Sequence, residues 1–195
     1  LPADGEPPVT WQRQALYVRD DAPGGMNYLV LRDTVTGGQP TQWQFWTLSK
    51  ELTGPGGASP FVKPKAESLD DIISNDKPKA RNPLVSDLDV PRQKSDAPLQ
   101  GDRFIAVGQL GIDLEYFIAS PTETPRNTLR FATTSPVLGT VRAFPFEQDL
   151  LHLQLPGDGT YFVAIVPRGH TEAAPAFTKL GDGKVIKVSG TFGTD

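Results

Sequence analysis

In 195 residues the sequence has no cysteine, one methionine and two histidines. The missing thiols exclude disulfides, thiolate zinc sites, iron–sulfur clusters and cysteine nucleophiles together. Stability must then come from an apolar core or from a partner. Strong net charge is lacking too: 19 Lys and Arg stand against 23 Asp and Glu, a formal balance of −4. That balance provides no basic field to hold nucleic acid. Long apolar runs are absent, since stretches such as Tyr161 to Val166 fall far short of the ~20 residues needed to span a bilayer as a helix. The chain opens at Leu1 without a basic and apolar leader and its one methionine is Met26, the pattern expected of a processed or excised piece.

Helical periodicity is equally scarce, and 19 Gly with 19 Pro point to a turn-rich chain. The length predicts one large domain spanning 1–195. From Gln12 to Arg19 the run QRQALYVR reads as a strand, followed by turn chemistry in Asp20-Asp21-Ala22-Pro23-Gly24-Gly25 and a second strand over Asn27 to Val35. After Thr36-Gly37-Gly38-Gln39-Pro40 comes Thr41 to Ser49, where Trp43, Phe45 and Thr47 share one face and Gln42, Gln44, Trp46 and Leu48 the other. Bulk on both faces predicts a strand covered on both sides.

Strand signals resume at Phe104 to Val107, Leu114 to Ala119, Thr128 to Ala132, Val137 to Ala143, Leu150 to Leu155, Tyr161 to Val166, Ala176 to Leu180 and Val185 to Ser189. Leu150 to Leu155, Pro156-Gly157-Asp158-Gly159 and Thr160 to Val166 read as the clearest hairpin, with Gly181-Asp182-Gly183 as a second tight turn. About eleven short strands at ~8–12-residue spacing predict an all-β, antiparallel β-sandwich of stacked sheets.

Between these two groups, Leu52 to Asp102 holds seven prolines, seven basic and eight acidic residues without sustained periodicity. Only Ala66 to Ile73 has apolar residues at helical spacing. Such a long irregular insertion is expected to be functional, to wrap a partner, or to lack order.

Chemistry-bearing motifs are few. There is no Gly-x-Ser-x-Gly elbow, dinucleotide fingerprint or Walker segment. The adjacent acids Asp20 with Asp21 and Asp70 with Asp71 point apart, as turn residues or a solvated face would, and Asp87 with Asp89 is too little for a calcium site. No metal and no cofactor is therefore implied. His152 lies in a strand, facing away from Leu151 and Leu153, which predicts a partly exposed strand residue. His170, in the loop Pro167-Arg168-Gly169-His170-Thr171-Glu172, is the better candidate for a base or an anion contact.

Aromatic residues give the stronger clue: Trp11, Tyr17, Tyr28, Trp43, Phe45 and Trp46 crowd into the first three strands, near Arg13, Arg19, Arg32, Gln42 and Gln44. Sugars lay apolar C–H faces on such rings while polar side chains take their hydroxyls. Core packing accounts for the same aromatics, above all Trp43 and Phe45, so both explanations stand at this point.

Gln12 to Arg19, then Tyr28 to Val35 ending in Asp33-Thr34-Val35, then Gln42 to Leu48 together resemble the β-sandwich region that follows the helical toroid in heparinase II/III-like polysaccharide lyases. Phe162 to Arg168 and Val185 to Phe192 are similar to that region's closing strands. The family commonly carries a histidine in the third strand, where this chain has Phe45 or Trp46, and its helical domain supplies most of the tyrosine and histidine acid–base groups for β-elimination. Asp33 matches the acid that closes the family's second strand. The resemblance implies a non-catalytic, polysaccharide-contacting accessory domain. Its carbohydrate contacts would be Trp11, Arg13, Tyr17, Arg19, Gln44, Trp46 and His170, with no catalytic residue. The implied partners are an acidic or neutral polysaccharide and a helical catalytic domain or another protein chain. The implied location is secreted, periplasmic or cell-surface. Two alternatives stay open: a structural or assembly module, and the C-terminal fragment of an active lyase.

Overall fold

Alternation and turn chemistry build the first element. β1 (Thr10–Val18) and β2 (Tyr28–Thr36) pair antiparallel without interruption, from Thr10 opposite Thr36 to Val18 opposite Tyr28. Beyond β1, Asp20 Oδ1 accepts the Ala22 N–H at 2.8 Å and Asn27 Oδ1 accepts the Asp20 N–H at 3.1 Å, so Asp20 is a turn former. The computed structural model describes residues 7–22, 25–58, 97–108, 110–121, 124–134, 145–190 and 193–194; within these it leaves out the side chains of 50, 97–98, 127–134, 145–149 and 193–194.

The remaining strands are β3 (Thr41–Thr53), β4 (Ala97–Pro98), β5 (Arg103–Gly108), β6 (Ile112–Ile118), β7 (Arg126–Thr134), β8 (Pro145–Leu155), β9 (Gly159–Gly169), β10 (Ala176–Leu180), β11 (Val185–Gly190) and β12 (Gly193–Thr194). Nine of the twelve form one sheet in the order β1-β2-β9-β6-β5-β3-β8-β7-β4, and β10-β11-β12 form a second. Every pairing is antiparallel. A single 3₁₀ turn at Pro55–Gly57 is the only helical element among the described residues.

The large sheet curls because β3 serves two ladders. Its first half, Thr41 to Leu48, pairs with β8, while Ser49 to Thr53 pairs with β5, and the register shifts between Ser49 and Glu51. An extra residue in one strand bends it and resets which side chains face inward. Trp43, Phe45, Thr47 and Ser49 point into the curl before the shift, and Leu52 does so after it. The result is a half-barrel, with β1, β2, β9, β6 and β5 in one wing and β8, β7 and β4 in the other. Its concave side holds the main core, where Leu151, Leu153 and Leu155 of β8 meet Leu31, Val35, Phe104, Tyr116, Tyr161 and Val163.

β9 is buried on both faces from Tyr161 to Val166, and the small sheet explains why. Phe177, Ile186 and Val188 pack on the convex side against Phe117, Phe162, Ala164 and Val166. Phe117 and Phe177 stack with centroids 5.0 Å apart and planes 4° apart. The turn joining β10 to β11 has positive φ at Asp182 (53°) and Gly183 (81°) and closes with the Lys184 N–H on the Gly181 carbonyl at 3.1 Å, the twist a tight hairpin favours. A Cβ at Gly183 would run into the Ala119 carbonyl. Glycine there lets the turn dock on the end of β6.

All-β, antiparallel architecture is thus present, but as a curled nine-stranded sheet with a small sheet packed on its outside. Among the described residues, ten strands have five or more residues. The expected hairpin between β8 and β9 is not formed: β8 pairs with β3 and β7, and β9 with β2 and β6. Pro156 to Asp158 instead carries the chain across the core from one wing to the other. The corner is tied by the Tyr161 hydroxyl, which donates to the Thr41 carbonyl at 2.7 Å and accepts the Leu155 N–H at 3.0 Å. Asp158 Oδ1 accepts the Gly38 N–H at 2.7 Å. β3 is covered on one face alone, because Gln42, Gln44, Trp46 and Leu48 are exposed on its convex side. Tyr28, Trp43 and Phe45 are core or partly core residues. Of the predicted irregular stretch, Leu52 and Thr53 complete β3, and Leu99 is buried in the core. Residues 59–96, which include the helical-spacing run, Asp70, Asp71, Asp87 and Asp89, lie outside the described residues, as does the expected strand Val137 to Ala143.

Candidate functional site

Strand period 2 places Trp11, Arg13, Ala15 and Tyr17 on one face of β1, and the register with β2 makes that the concave face, since Trp11 lies opposite Val35 and Arg13 opposite Asp33. Trp11 stacks on the buried Tyr161 ring with centroids 5.6 Å apart and planes 21° apart, while 38% of the residue stays exposed. One ring face is thereby backed. Tyr17 is 63% exposed. Six residues along a strand span about 20 Å, so the two rings mark the ends of an extended platform.

Arg13 stands between them. Its Nε and Nη2 donate to the two oxygens of Asp33 at 2.8 and 2.6 Å, a forked ion pair in which the Asp33 side chain is fully buried and the Arg13 side chain is 52% exposed. The hydrogen bonds to Asp33 hold the guanidinium above its ordinary pKa, outweighing the opposite effect of burial. Nη1 takes no part in the fork, so a fixed cation keeps donors for a ligand carboxylate or hydroxyl. Burial pushes the Tyr161 phenol above its ordinary pKa, against hydrogen bonds with Thr41 and Leu155 that pull it down.

The other expected contacts lie elsewhere. Gln44 and Trp46 sit on the convex face of β3, with Trp46 48% exposed and Gln44 donating to Gln42 Oε1 at 3.1 Å. Arg19, just past β1, makes an exposed 3.5 Å contact with Asp21. Arg32 lies over the Phe162 ring at 5.7 Å, on the convex side.

His170 belongs to a second cluster that the sequence reading missed. On the convex side of β5, β6 and β9, the fully buried Glu115 accepts Arg103 Nε and Nη2 at 2.9 and 2.7 Å on one oxygen and Arg168 Nε at 2.7 Å on the other. Two places along β6, the buried Asp113 accepts the Gly108 N–H at 3.1 Å, lies 3.5 Å from Arg168 Nη1 and is 2.7 Å from His170 Nδ1. Arg168 Nη1 also donates to the carbonyls of Gly169, His170 and Glu172 at 3.2 to 3.4 Å. A carboxylate only accepts, so Nδ1 is the ring nitrogen that faces Asp113 and Nε2 points away from it. An open cleft of about 480 Å³ lies alongside, lined by Asn27, Ile112, Arg168 and Glu172 among others. Alternation of acids at 113 and 115 with apolar residues was visible in the sequence, but their partners Arg103 and Arg168 come alongside only through the pairing of β6 with β5 and β9.

His152 is buried on β8 rather than partly exposed, and it belongs to a different strand and wing from the one leading to His170. Among the described residues no group of three or more His, Asp or Glu is placed to hold a metal ion. No described helix is long and apolar enough to cross a membrane. Comparison with protein-family models, with curated proteins and with solved structures returns no match for this chain.

Proposed function

We propose that the chain is a non-catalytic, polysaccharide-contacting module, its layers those of a lyase-type β-sandwich and its place of work outside the cytoplasm. The observation that carries this reading is the β1 face, where Trp11 and Tyr17 flank Arg13 along an exposed strand. Trp11 is backed by Tyr161 and Arg13 is fixed by Asp33, so the ring and the cation meet a ligand already oriented. The ~20 Å length suits several sugar units better than one. The exposed guanidinium favours a chain that bears uronate or other acidic groups. Arg19 at the far end of the strand extends the same charge, whereas Gln44, Trp46 and His170 have no part in this platform.

The test is binding to a panel of uronate-bearing and neutral polysaccharides. The parent chain binds an acidic member, Tyr17→Ala weakens it about tenfold, equivalent to ~1.4 kcal/mol, and Trp46→Ala on the opposite face leaves it unchanged. Absence of binding by the parent, or loss on Trp46→Ala and none on Tyr17→Ala, overturns the reading. The lyase-fragment alternative draws on the Asp113-held imidazole of His170, a geometry suited to a general base. It requires unsaturated uronate ends to appear on incubation with the same polysaccharides.

A further inference from the structure

Among the described residues β1 is an edge strand whose outer side is an open template. Among the described residues nothing pairs with it, and its nine-residue ladder to β2 runs without a bulge. Sheet edges are commonly blunted by charged side chains, lysine above all, by inward-pointing charges, by proline, by bulges or by short length. At the opposite edge, β4 carries a proline, Pro98. β1 lacks lysine, proline and a bulge, and its one inward-pointing charge, Arg13, is neutralised by Asp33, while Leu16 on its convex side is 58% exposed.

We infer that β1 pairs antiparallel with β1 of a second copy of this chain about a two-fold axis at Gln14, joining two nine-stranded sheets into one. The sequence of the strand selects the occupant and the register. Centring on Gln14 alone pairs all nine residues. It sets Thr10 against Val18, Trp11 against Tyr17, Gln12 against Leu16, Arg13 against Ala15, and Gln14 against itself. An aromatic pair and a β-branched pair then fall directly opposite each other, the combinations that stabilise cross-strand contacts. The one charge in the strand meets a methyl group, and Asp33 already neutralises it. Centring one residue earlier would set Arg13 against Arg13. In this register Trp11 of each copy also lies beside Tyr17 of the other. The pairing itself does not depend on carbohydrate binding.

Sedimentation velocity over a range of protein concentrations, without sugar, tests the inference. The parent chain shows a concentration-dependent monomer–dimer equilibrium. Gln12→Lys with Leu16→Lys, two exposed positions on the face away from Trp11, Arg13 and Tyr17, sets lysine against lysine across the axis and weakens association at least tenfold. Gln12→Glu with Leu16→Lys sets glutamate against lysine only in this register, and restores association to within a few-fold of the parent. A parent that stays monomeric at every concentration overturns the proposal. So does a dimer indifferent to the double lysine, or one that the glutamate–lysine pair fails to restore. Circular dichroism of both variants verifies the fold, and unchanged polysaccharide binding by a monomeric variant separates this failure from failure of the sugar reading.

Discussion

Replacing Glu115 by alanine removes a buried carboxylate that two arginines share. Three N–H donors, two from Arg103 and one from Arg168, lose their acceptor at distances of 2.7 to 2.9 Å. Breaking a buried ion pair from one side costs ~3–5 kcal/mol, since the surviving charge stays desolvated. Arg103 is a quarter exposed and stacks on Phe177 at 5.5 Å, while Arg168 keeps Asp113, so a loss near the lower end, about 3 kcal/mol, is expected. For a chain of this size that lowers the melting temperature by roughly 6–12 °C. Urea denaturation followed by circular dichroism measures it, and because the cluster is buried the loss persists in high salt. The paired change Arg103→Leu with Glu115→Leu removes more polar atoms yet destabilises less than Glu115→Ala, since no arginine is left without its partner except Arg168, which retains Asp113. A loss under ~1 kcal/mol for Glu115→Ala, or a pair worse than the single change, refutes the view that charge compensation, rather than packing, governs this site.

Two further outcomes concern the concave face. Arg13→Ala exposes the Asp33 carboxylate within the sheet and costs about 1–2 kcal/mol, discounted because Arg13 is half exposed and water can replace it; adding Asp33→Asn recovers part of that loss in the same denaturation assay, and a double variant less stable than Arg13→Ala contradicts the pairing argument. Tyr161 has its phenol pKa raised in the folded chain, so its contribution to stability is complete below about pH 10 and is lost as pH rises through the folded value. Tyr161→Phe therefore flattens the alkaline decline in stability, and at neutral pH it costs about 1–3 kcal/mol because the Leu155 N–H loses its acceptor. Stability curves measured against pH for both proteins check the two signs.

Local chemistry made the hairpins legible. Asp20 and its neighbours, and Gly181 to Gly183, specify chain reversals whose two arms pair with each other, so β1 with β2 and β10 with β11 follow directly from sequence. The same kind of turn at Pro156 to Gly159 gave the wrong partner, because proline and glycine specify a reversal and say nothing about which ladder the arms join. Here the arms face each other across the core, with the Tyr161 hydroxyl holding the corner. The bulge after Ser49 left no signature, so the passage of one strand through both wings could not be read from alternation. At the candidate site, the period-2 spacing of Trp11, Arg13 and Tyr17 was visible. That Trp46 would lie on the other side of the sheet required the register of every strand between them. Asp113 and Glu115 stayed hidden for a related reason: their meaning depends on Arg103 and Arg168, which only the folded sheet brings alongside.

The most direct measurement is a titration of the isotope-labelled chain with a uronate-containing oligosaccharide, followed by the indole and guanidinium N–H resonances. The account predicts that the Trp11 indole, the Arg13 side chain and the Tyr17 backbone shift together and saturate at one ligand concentration, while the Trp46 indole does not move. Shifts centred on Trp46 or His170, with Trp11 and Arg13 unmoved, would contradict it.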